Sequence, residues 1–587
     1  MKSLSRLNAE TFPAAGCGVS RVGSGRRWPS PSGAGLGQRH IESPGSSAGE
    51  RAAFNHPSVA AIRAGRGAWR RVPVLAAAVL AFAGAGPRTP AAEQASQLWG
   101  VSGEHWSPQS RLPDFSFAGY RRGEETFRIP QESISVAAFG AKGDGRTDDT
   151  AAFKQAIAAG AGKVILVPPG RFVLSDTLEI RSSNLVLRGA GSGKTVLLFT
   201  RSLEDLRPRS TRLNGEKTTS QWSWGGGLIM IGTPRTRWHA AERPTGEVKI
   251  VSPAQRGDNR LTLETSPFKA GDEVVLTVFD DRGKSLLAYL YRGKVANVSG
   301  LSNWECRQVF RVTAVAGNTI TLDRGLRFEV RSAWRPVVGP FRPELTDVGV
   351  EGLAFEFPPT PYGGHFTEAG YNPVAIASSA AHCWLRDLRI WNADSGPYVA
   401  GTFCTADGIH LGADPARQST IPGRHLGYTG HHGISFFGSD GLCTNFTIET
   451  QFIHDLTVQS ASGSVFSSGQ ATNLAIDHHR WAPYENLFTD IDGGEGTRLF
   501  RSSGDPIRGD HSGAGATFWN IRTRQPVDWP KDIAAMTNAV GLNTAGAPEF
   551  DPEGQWFEAI PAGELRPANL HKAMLERRLG KGAAKPR

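Results

Sequence analysis

The chain has little cysteine and methionine, little net charge beyond its first residues, and no long apolar run. Its 587 residues include 5 cysteines and 4 methionines, and the cysteines do not have the spacing of a zinc site. Residues 1–92 carry 12 Lys/Arg and 3 Asp/Glu, which is +9 of the total charge of +10. The rest of the chain is nearly neutral, so global charge gives no reason to expect nucleic acid as a partner.

The most apolar stretch near the N-terminus, Val72 to Ala85, is too short and too rich in Ala and Gly for a membrane span. Two arginines precede it and two small alanines follow it, as in a secretory signal. We therefore expect residues 1–92 to be a leader that includes a signal at about 70–92. The mature protein would be extracellular or periplasmic, without a stable membrane anchor. Cys383, Cys404 and Cys443 are expected to be small buried residues.

Residues 134–191 predict a strand, a Gly-rich turn, a helix and further strands. The key segments are FGAKGDGRTDDT, VPPGRFVL and LVLRGAG. Asp148 and Asp149 lie where acidic groups favour the start of a helix. These segments resemble the N-terminal region of the pectate lyase superfamily. The resemblance implies an all-β fold, a right-handed parallel β-helix with an N-terminal capping helix. It says little about activity, because polygalacturonases, exo-glucanases, lyases and phage tailspikes share this cap.

Six regions are expected along the chain. Alternation of apolar and polar residues between turns predicts a small antiparallel β domain inserted in the helix, whose aromatic residues form either a core or a sugar-stacking wall. Apolar residues two apart, such as Leu388/Ile390 and Leu474/Ile476, predict the inward positions of stacked coils. The regions are a leader (1–92), an extended segment (93–133), the start of the β-helix with its cap (134–200), the insertion (201–345), β-helix coils (346–535), and a C-terminal tail with a helix (536–587).

Histidines cluster in the coils, with ten of the 15 between His365 and His511. His410, His432 and His454 are each 22 residues apart, a spacing that would stack them directly if it matched one coil. Aligning CTNFTIE with ATNLAID instead sets Thr450 over His478. Under this second register the imidazoles share a face without forming one column.

The segment DHHRWAPY contains groups that could cleave a uronic-acid polymer by β-elimination. Such a reaction needs a cation to neutralise the carboxylate and a base to take the adjacent proton. Arginine matches a carboxylate, and His or Tyr can act as base or acid. We therefore predict His478, His479, Arg480 and Tyr484 as catalytic residues of a lyase acting on an acidic polysaccharide. The alternative is a polar turn in which the imidazoles bond to backbone carbonyls.

Other polar residues of the coils are candidate ligands for the substrate or for a metal. The substrate-binding candidates are His410, His431, His432, His454, Asp407 and His511. Asp490, Asp492 and Glu495 offer oxygen ligands that could bind Ca²⁺, although their spacing fits no known calcium loop. No other cofactor is expected.

Two further functions remain open. TADG (405–408) and GHHGIS (430–435) resemble polygalacturonase motifs, which favours a glycoside hydrolase using Asp407 or the pair Asp490 and Asp492. The paired aspartates that such hydrolases use do not occur between the two motifs, which weakens this alternative. A non-catalytic glycan-binding β-helix is the third possibility.

Overall fold

The computed structural model describes residues 94–213, 217–233, 245–293, 295–423, 425–511, 513–529, 536–546 and 554–580. The predicted leader and its signal lie outside these residues. Within the described part of the chain, no helix combines the length and apolar character needed to cross a bilayer.

The first coils carry the capping helix α1 (Thr150–Ala158). Phe153 and Ile157 of this helix are buried in the core, and Asp149 accepts hydrogen bonds from the backbone N–H groups of Lys142 and Gly143 at 2.7 and 3.1 Å. The predicted capping helix is thus confirmed, and its acidic start is structural. The strands of this part are β1 (Gln94–Ala95), β2 (Ser133–Ser135), β3 (Asp144–Asp148), β4 (Val164–Val167), β5 (Gly170–Leu174), β6 (Leu178–Ile180), β7 (Leu185–Gly189) and β8 (Thr195–Phe199).

The next part contains the inserted domain. Helix α2 (Leu203–Leu206) and strands β9 (Ser210–Leu213), β10 (Lys217–Ser220) and β11 (Ile229–Ile231) come first, and β11 pairs with β6 of the β-helix. An antiparallel six-stranded sheet follows, in the order β12-β17-β14-β15-β16-β13. Its elements are β12 (Val248–Lys249), β13 (Arg260–Thr262), β14 (Glu273–Phe279), α3 (Ser285–Leu290), β15 (Glu305–Ala316), β16 (Thr319–Leu322) and β17 (Val337–Pro340). This confirms the predicted antiparallel insertion, which has its own apolar core.

The chain then returns to coils and ends in helix α4 (Leu570–Arg578). The strands are β18 (Leu345–Thr346), β19 (Val348–Glu356), β20 (Val374–Ile376), β21 (Ala380–Ala381), β22 (Trp384–Trp391), β23 (Tyr398–Val399), β24 (Thr405–Gly412), β25 (Gly430–Phe436), β26 (Leu442–Thr444), β27 (Thr447–Ile448), β28 (Phe452–Val458), β29 (Val465–Ser467), β30 (Gln470–Ala471), β31 (Ile476–His478), β32 (Leu487–Asp492), β33 (Thr517–Arg522), β34 (Asn538–Leu542), β35 (Trp556–Glu558) and β36 (Leu565–Arg566).

Parallel pairing between successive coils builds the β-helix. One long ladder runs through β2, β4, β7, β19, β22, β24, β26, β29 and β32 to β35. A seven-stranded parallel sheet has the order β31-β28-β25-β23-β20-β11-β6. The predicted inward positions, including Leu388 and Ile476, are buried in one continuous core, as are the cysteines 383, 404 and 443, which are free thiols. The right-handed parallel β-helix is therefore the observed fold.

Candidate active site

Four histidines and one aspartate meet on the seven-stranded sheet. We call His431, His432, His454, His479 and Asp477 the imidazole cluster. Strands β25, β28 and β31 lie side by side, and each contributes to the cluster directly or through the residue that follows it. Ring centroids of neighbouring imidazoles are 4.0 to 5.9 Å apart. The winding of the chain thus brings together residues almost 50 positions apart in sequence.

The strand register corrects both predicted alignments of the histidines. His432 pairs directly with His454, so the 22-residue spacing holds for this pair. His410 instead pairs with Thr447, and Val458, not Thr450, lies opposite His478. The coils have unequal lengths because their loops differ, which a fixed repeat cannot represent.

Asp477 and His479 form a hydrogen-bonded pair at the edge of the cluster. Oδ2 of the carboxylate lies 2.6 Å from Nδ1 of His479 and 3.3 Å from Nδ1 of His454. Oδ1 accepts the backbone N–H of Ser503 at 2.8 Å. The Asp477 side chain is fully buried, whereas that of His479 is 12% exposed. Donation from Nδ1 to the carboxylate leaves Nε2 of a neutral His479 as a proton acceptor.

Burial determines the charge of the other cluster members. Burial and the neighbouring imidazoles hold the pKa of His431 and of His432 well below the usual value, and burial lowers the pKa of His454 to about 4 against the opposing effect of Asp477. Burial alone would raise the pKa of Asp477, but the imidazoles of His454 and His479 outweigh it and hold that pKa far below its usual range. At neutral pH Asp477 is therefore a carboxylate, and the buried rings of His431, His432 and His454 are neutral.

A second acidic group closes the opposite end of the cluster. Glu368 has a fully buried side chain, and Nδ1 of His431 lies 3.4 Å from its Oε1. The Tyr362 hydroxyl donates a hydrogen bond of 2.5 Å to the same oxygen. Burial raises the pKa of Glu368 to about 7, although the hydrogen bond from Tyr362 opposes this shift. The site therefore has a carboxyl group that gains or loses a proton near neutral pH.

Two of the four predicted catalytic residues lie away from this cluster. His478 occupies an inward position, where its ring packs between Phe488 and Phe518 at 5.3 and 5.5 Å, and burial lowers its pKa to about 3. Tyr484 is buried in the core of the inserted domain, and its hydroxyl bonds to a backbone carbonyl. Both side chains are buried, and neither lies among the rings of the imidazole cluster.

Arg480 stays near the cluster and is partly exposed. Its guanidinium donates to the carbonyl of Gly509 and lies 3.1 Å from Nε2 of His511. His511 also approaches the His478 carbonyl at 3.3 Å. No carboxylate among the described residues forms a salt bridge with Arg480. The charge of Arg480 therefore has no carboxylate partner among the described residues, while both of its terminal nitrogens bond within the protein.

His410 and Asp407 belong to β24 in the long ladder, not to the sheet that carries the cluster. His410 Nε2 pairs with Glu449 at 3.1 Å, and Asp407 accepts a hydrogen bond from Asn445 at 2.7 Å. The structure therefore separates these two substrate-binding candidates from His431, His432 and His454.

The residues proposed for calcium are engaged in other contacts. Asp490 pairs with Arg522 at 2.9 Å, and Glu495 pairs with Arg524. Asp492 accepts the backbone N–H of Gly494. These contacts neutralise two of the three carboxylates. Within the described residues, Asp490, Asp492 and Glu495 do not form a group close enough to hold a metal ion. The calcium site therefore stays a prediction.

A different trio has donor atoms close enough for a metal, namely His454, Asp477 and His479, all within 4.8 Å. Two ligands of a tetrahedral ion, each at about 2.0 to 2.1 Å, stand about 3.3 Å apart. The 2.6 Å between Asp477 and His479 is shorter than this and matches a hydrogen bond. As folded, the trio is a hydrogen-bonded acid–imidazole pair, and a metal would require His479 to move.

Two residues of the site, Glu368 and Ser503, were not predicted from the sequence. Glu368 lies in the long connection after β19 and carries no motif. Ser503 places its hydroxyl 3.1 Å from Nε2 of His454 and 3.2 Å from Nδ1 of His479. It belongs to the repeat RLFRSSG, so the coil alignment was the available signal.

Parts of the chain are similar to known proteins. The family model described as "Rhamnogalacturonase A/epimerase, pectate lyase-like" matches residues 133–229. The pre-neck appendage protein of Bacillus phage B103 is 41% identical over 75 residues, which are 13% of this chain and 8% of that protein. Alginate lyase 7 of Azotobacter vinelandii is 38% identical over 202 residues, 32% of this chain and 22% of that protein. The chain therefore spans a small part of the length of these relatives.

Among solved structures, the chain is similar to the tailspike protein gp49 from Pseudomonas phage LKA1. The identity is 12% and the TM-score 0.35, and the alignment covers 69% of this chain and 64% of the tailspike. The segment matched by the family model begins at β2, includes the cap helix and ends in β11. The match to the pectate lyase-like family model therefore covers the first coils of the chain, and the stacked parallel coils beyond it continue the same β-helix.

Proposed function

We propose that the protein is an exported enzyme that cleaves an acidic, uronic-acid-containing polysaccharide by β-elimination. The observation that carries this proposal is the Asp477–His479 pair, whose imidazole reaches solvent while its carboxylate is buried. Arg480, the next residue in the chain, supplies a cation without a carboxylate partner among the described residues. A base and a cation are the two groups that this reaction requires, and here they are neighbours in the sequence.

The proposed reaction uses these groups in sequence. Arg480 binds the carboxylate of one uronate, which makes the adjacent C–H bond more acidic. Nε2 of His479 removes that proton, and the electron pair of the C–H bond forms a C=C bond as the bond to the glycosidic oxygen breaks. The oxygen leaves as a hydroxyl after it receives a proton from the imidazolium or from solvent. The products are an unsaturated uronate end and a shortened chain.

Similarity to alginate lyase 7 over 32% of the chain makes alginate the first substrate to test. The family description also names an epimerase. Removal of the same proton followed by its return to the other face of the carbon would change configuration without cleavage. Both reactions need the base His479, and their products differ.

The test compares the wild type with His479→Gln on alginate and on polygalacturonate. The unsaturated product absorbs in the ultraviolet, and we expect the variant to lose this signal by about 100-fold or more, because general-base catalysis contributes on that order. His105→Gln, an exposed histidine of the N-terminal segment, is the matched control and should retain full activity.

Other outcomes are separable in the same assay. Reducing ends without ultraviolet absorption would indicate a hydrolase, and deuterium uptake from solvent without cleavage would indicate an epimerase. Binding without either change would indicate a glycan-binding protein. Full turnover by His479→Gln would overturn the assignment of the base.

A further inference from the structure

A loop runs beside the segment that carries His479 and extends the polar surface away from the imidazole cluster. We call residues 503–511 the flanking loop. Ser503 contacts His479, and a Cβ on Gly504 would lie 3.3 Å from Cδ of Arg480. Further along, the Arg508 carbonyl accepts the backbone N–H of Trp481 at 3.0 Å. The loop and the segment 479–481 therefore lie alongside each other over their whole length.

Arg508 is held on the face of an aromatic ring at the far end of this contact. Its guanidinium carbon lies 4.6 Å from the centroid of the Trp481 ring, and both residues are partly exposed. Within the described residues, Arg508 makes no salt bridge. Burial lowers the pKa of Arg508 against the weaker opposing effect of Asp505. The environment therefore leaves the positive charge largely uncompensated.

The inserted domain fixes the position of the flanking loop. The N–H of Gly300 donates to the carbonyl of Ile507, and the N–H of Gly509 donates to the carbonyl of Asn297, each at 2.8 Å. Trp304 of the same domain packs against Trp481, with ring centroids 6.5 Å apart. Contacts from Asn297, Gly300 and Trp304 thus hold the guanidinium and the indole ring in place before a ligand binds. This reduces the entropy cost of ordering the two side chains on binding.

We infer that Arg508 on the Trp481 ring forms a binding subsite for the carboxylate of a second uronate, next to the sugar attacked at His479. Trp481 follows His479 by two residues, so their Cα atoms lie at most about 7 Å apart. The base and this subsite are therefore close enough in the chain for sugars of one polymer to contact both. The inference rests on the proposed function for its substrate class, and it implies that the protein selects polymers with consecutive acidic sugars.

The test measures binding of alginate oligosaccharides of increasing length, by calorimetry and independently of turnover. For the wild type, affinity should rise at the length that first reaches Arg508. Arg508→Gln should bind the long oligosaccharides about tenfold more weakly than the wild type, because a charge-assisted hydrogen bond is lost. Arg508→Lys should recover part of this affinity. Arg282→Gln removes an exposed positive charge from the inserted domain and should bind like the wild type.

The outcomes separate this inference from the proposed function. If Arg508→Gln binds long oligosaccharides as tightly as Arg282→Gln does, the subsite is wrong even if the enzyme is a lyase. If no cleavage occurs but Arg508→Gln loses the gain in affinity with oligosaccharide length, the subsite is supported and the proposed lyase activity is wrong. Wild-type protein that binds neither alginate nor polygalacturonate would overturn both.

Discussion

At the scale of single residues, the site depends on how Asp477 holds His479. Replacing Asp477 by Asn removes the buried charge and offers the imidazole an amide that can hold the wrong tautomer. We expect kcat to fall by about 100-fold or more, since loss of an orienting aspartate in a comparable His–Asp pair costs about 10⁴. KM should change little, because Asp477 is buried and does not reach the substrate. Steady-state kinetics on the cleaved polysaccharide, with circular dichroism to confirm folding, would measure this, and a wild-type kcat would contradict the assigned role.

The residue-scale prediction from sequence found the cluster but not all of its members. The recurrence of histidines in one repeat region led to the expectation that the imidazoles share a face, and the rings that lie together are those of His431, His432, His454 and His479. It could not show which of two adjacent histidines faces inward, because this depends on the pairing of His478 with Val458. Glu368 comes from a connection without regular structure, and no sequence spacing relates it to the coils.

At the scale of elements, the turn after His479 needs support from the inserted domain. Arg480, Trp481 and Ala482 have positive φ angles of 55°, 63° and 43°, and each such residue costs about 1 to 2 kcal/mol. Surrounding contacts must hold a segment of this kind. The hydroxyl of Tyr291, which follows helix α3, accepts the backbone N–H of Ala482 at 3.1 Å.

The prediction is that Tyr291→Phe loosens this turn. It leaves the Ala482 N–H without its partner, and we expect a loss of about 1 to 2 kcal/mol in the free energy of unfolding. Because His479 and Arg480 precede Ala482 by three and two residues, kcat should fall several-fold. Tyr289→Phe, in the last turn of helix α3, is the matched control, since the contacts of the Tyr289 ring are with Arg292, Arg331 and Trp334. Denaturant unfolding and kinetics on both variants test the assignment, which fails if the two behave alike.

Alternating apolar residues were sufficient to predict the strands of the coils and the antiparallel insertion. They were not sufficient for the register. From β25 to β28 the paired residues are 22 positions apart, as His432 and His454 show, but from β28 to β31 they are 20 apart, as Leu456 and Ile476 show. Each coil closes through loops of its own length, so the number of residues per coil varies while the spacing of the strands does not.

At the scale of the whole molecule, a buried ionic group joins the inserted domain to the β-helix. Asp440 lies in the connection between β25 and β26, and its side chain is fully buried. Both oxygens accept hydrogen bonds from Arg324 of the inserted domain at 2.8 Å, and Arg327 reaches the same carboxylate at 2.5 Å. The insertion that supports the turn after His479 is thus attached through one carboxylate and two guanidinium groups.

Replacing Asp440 by Asn should destabilise the protein by about 3 to 5 kcal/mol, because it leaves the buried Arg324 without its counter-charge and Arg327 with only Glu485, at 3.5 Å. Burial would raise the pKa of Asp440, but the two arginines outweigh it and lower that pKa to about 2. A lowered folded-state pKa contributes stability above the unfolded value near 4, and this contribution is lost as the pH falls through 2. From pH 4 to 2 the wild type should therefore lose about 2 kcal/mol from this group, and Asp440→Asn should not. Denaturant unfolding of both proteins over this range measures the difference, and parallel pH profiles would show that Asp440 does not carry the coupling.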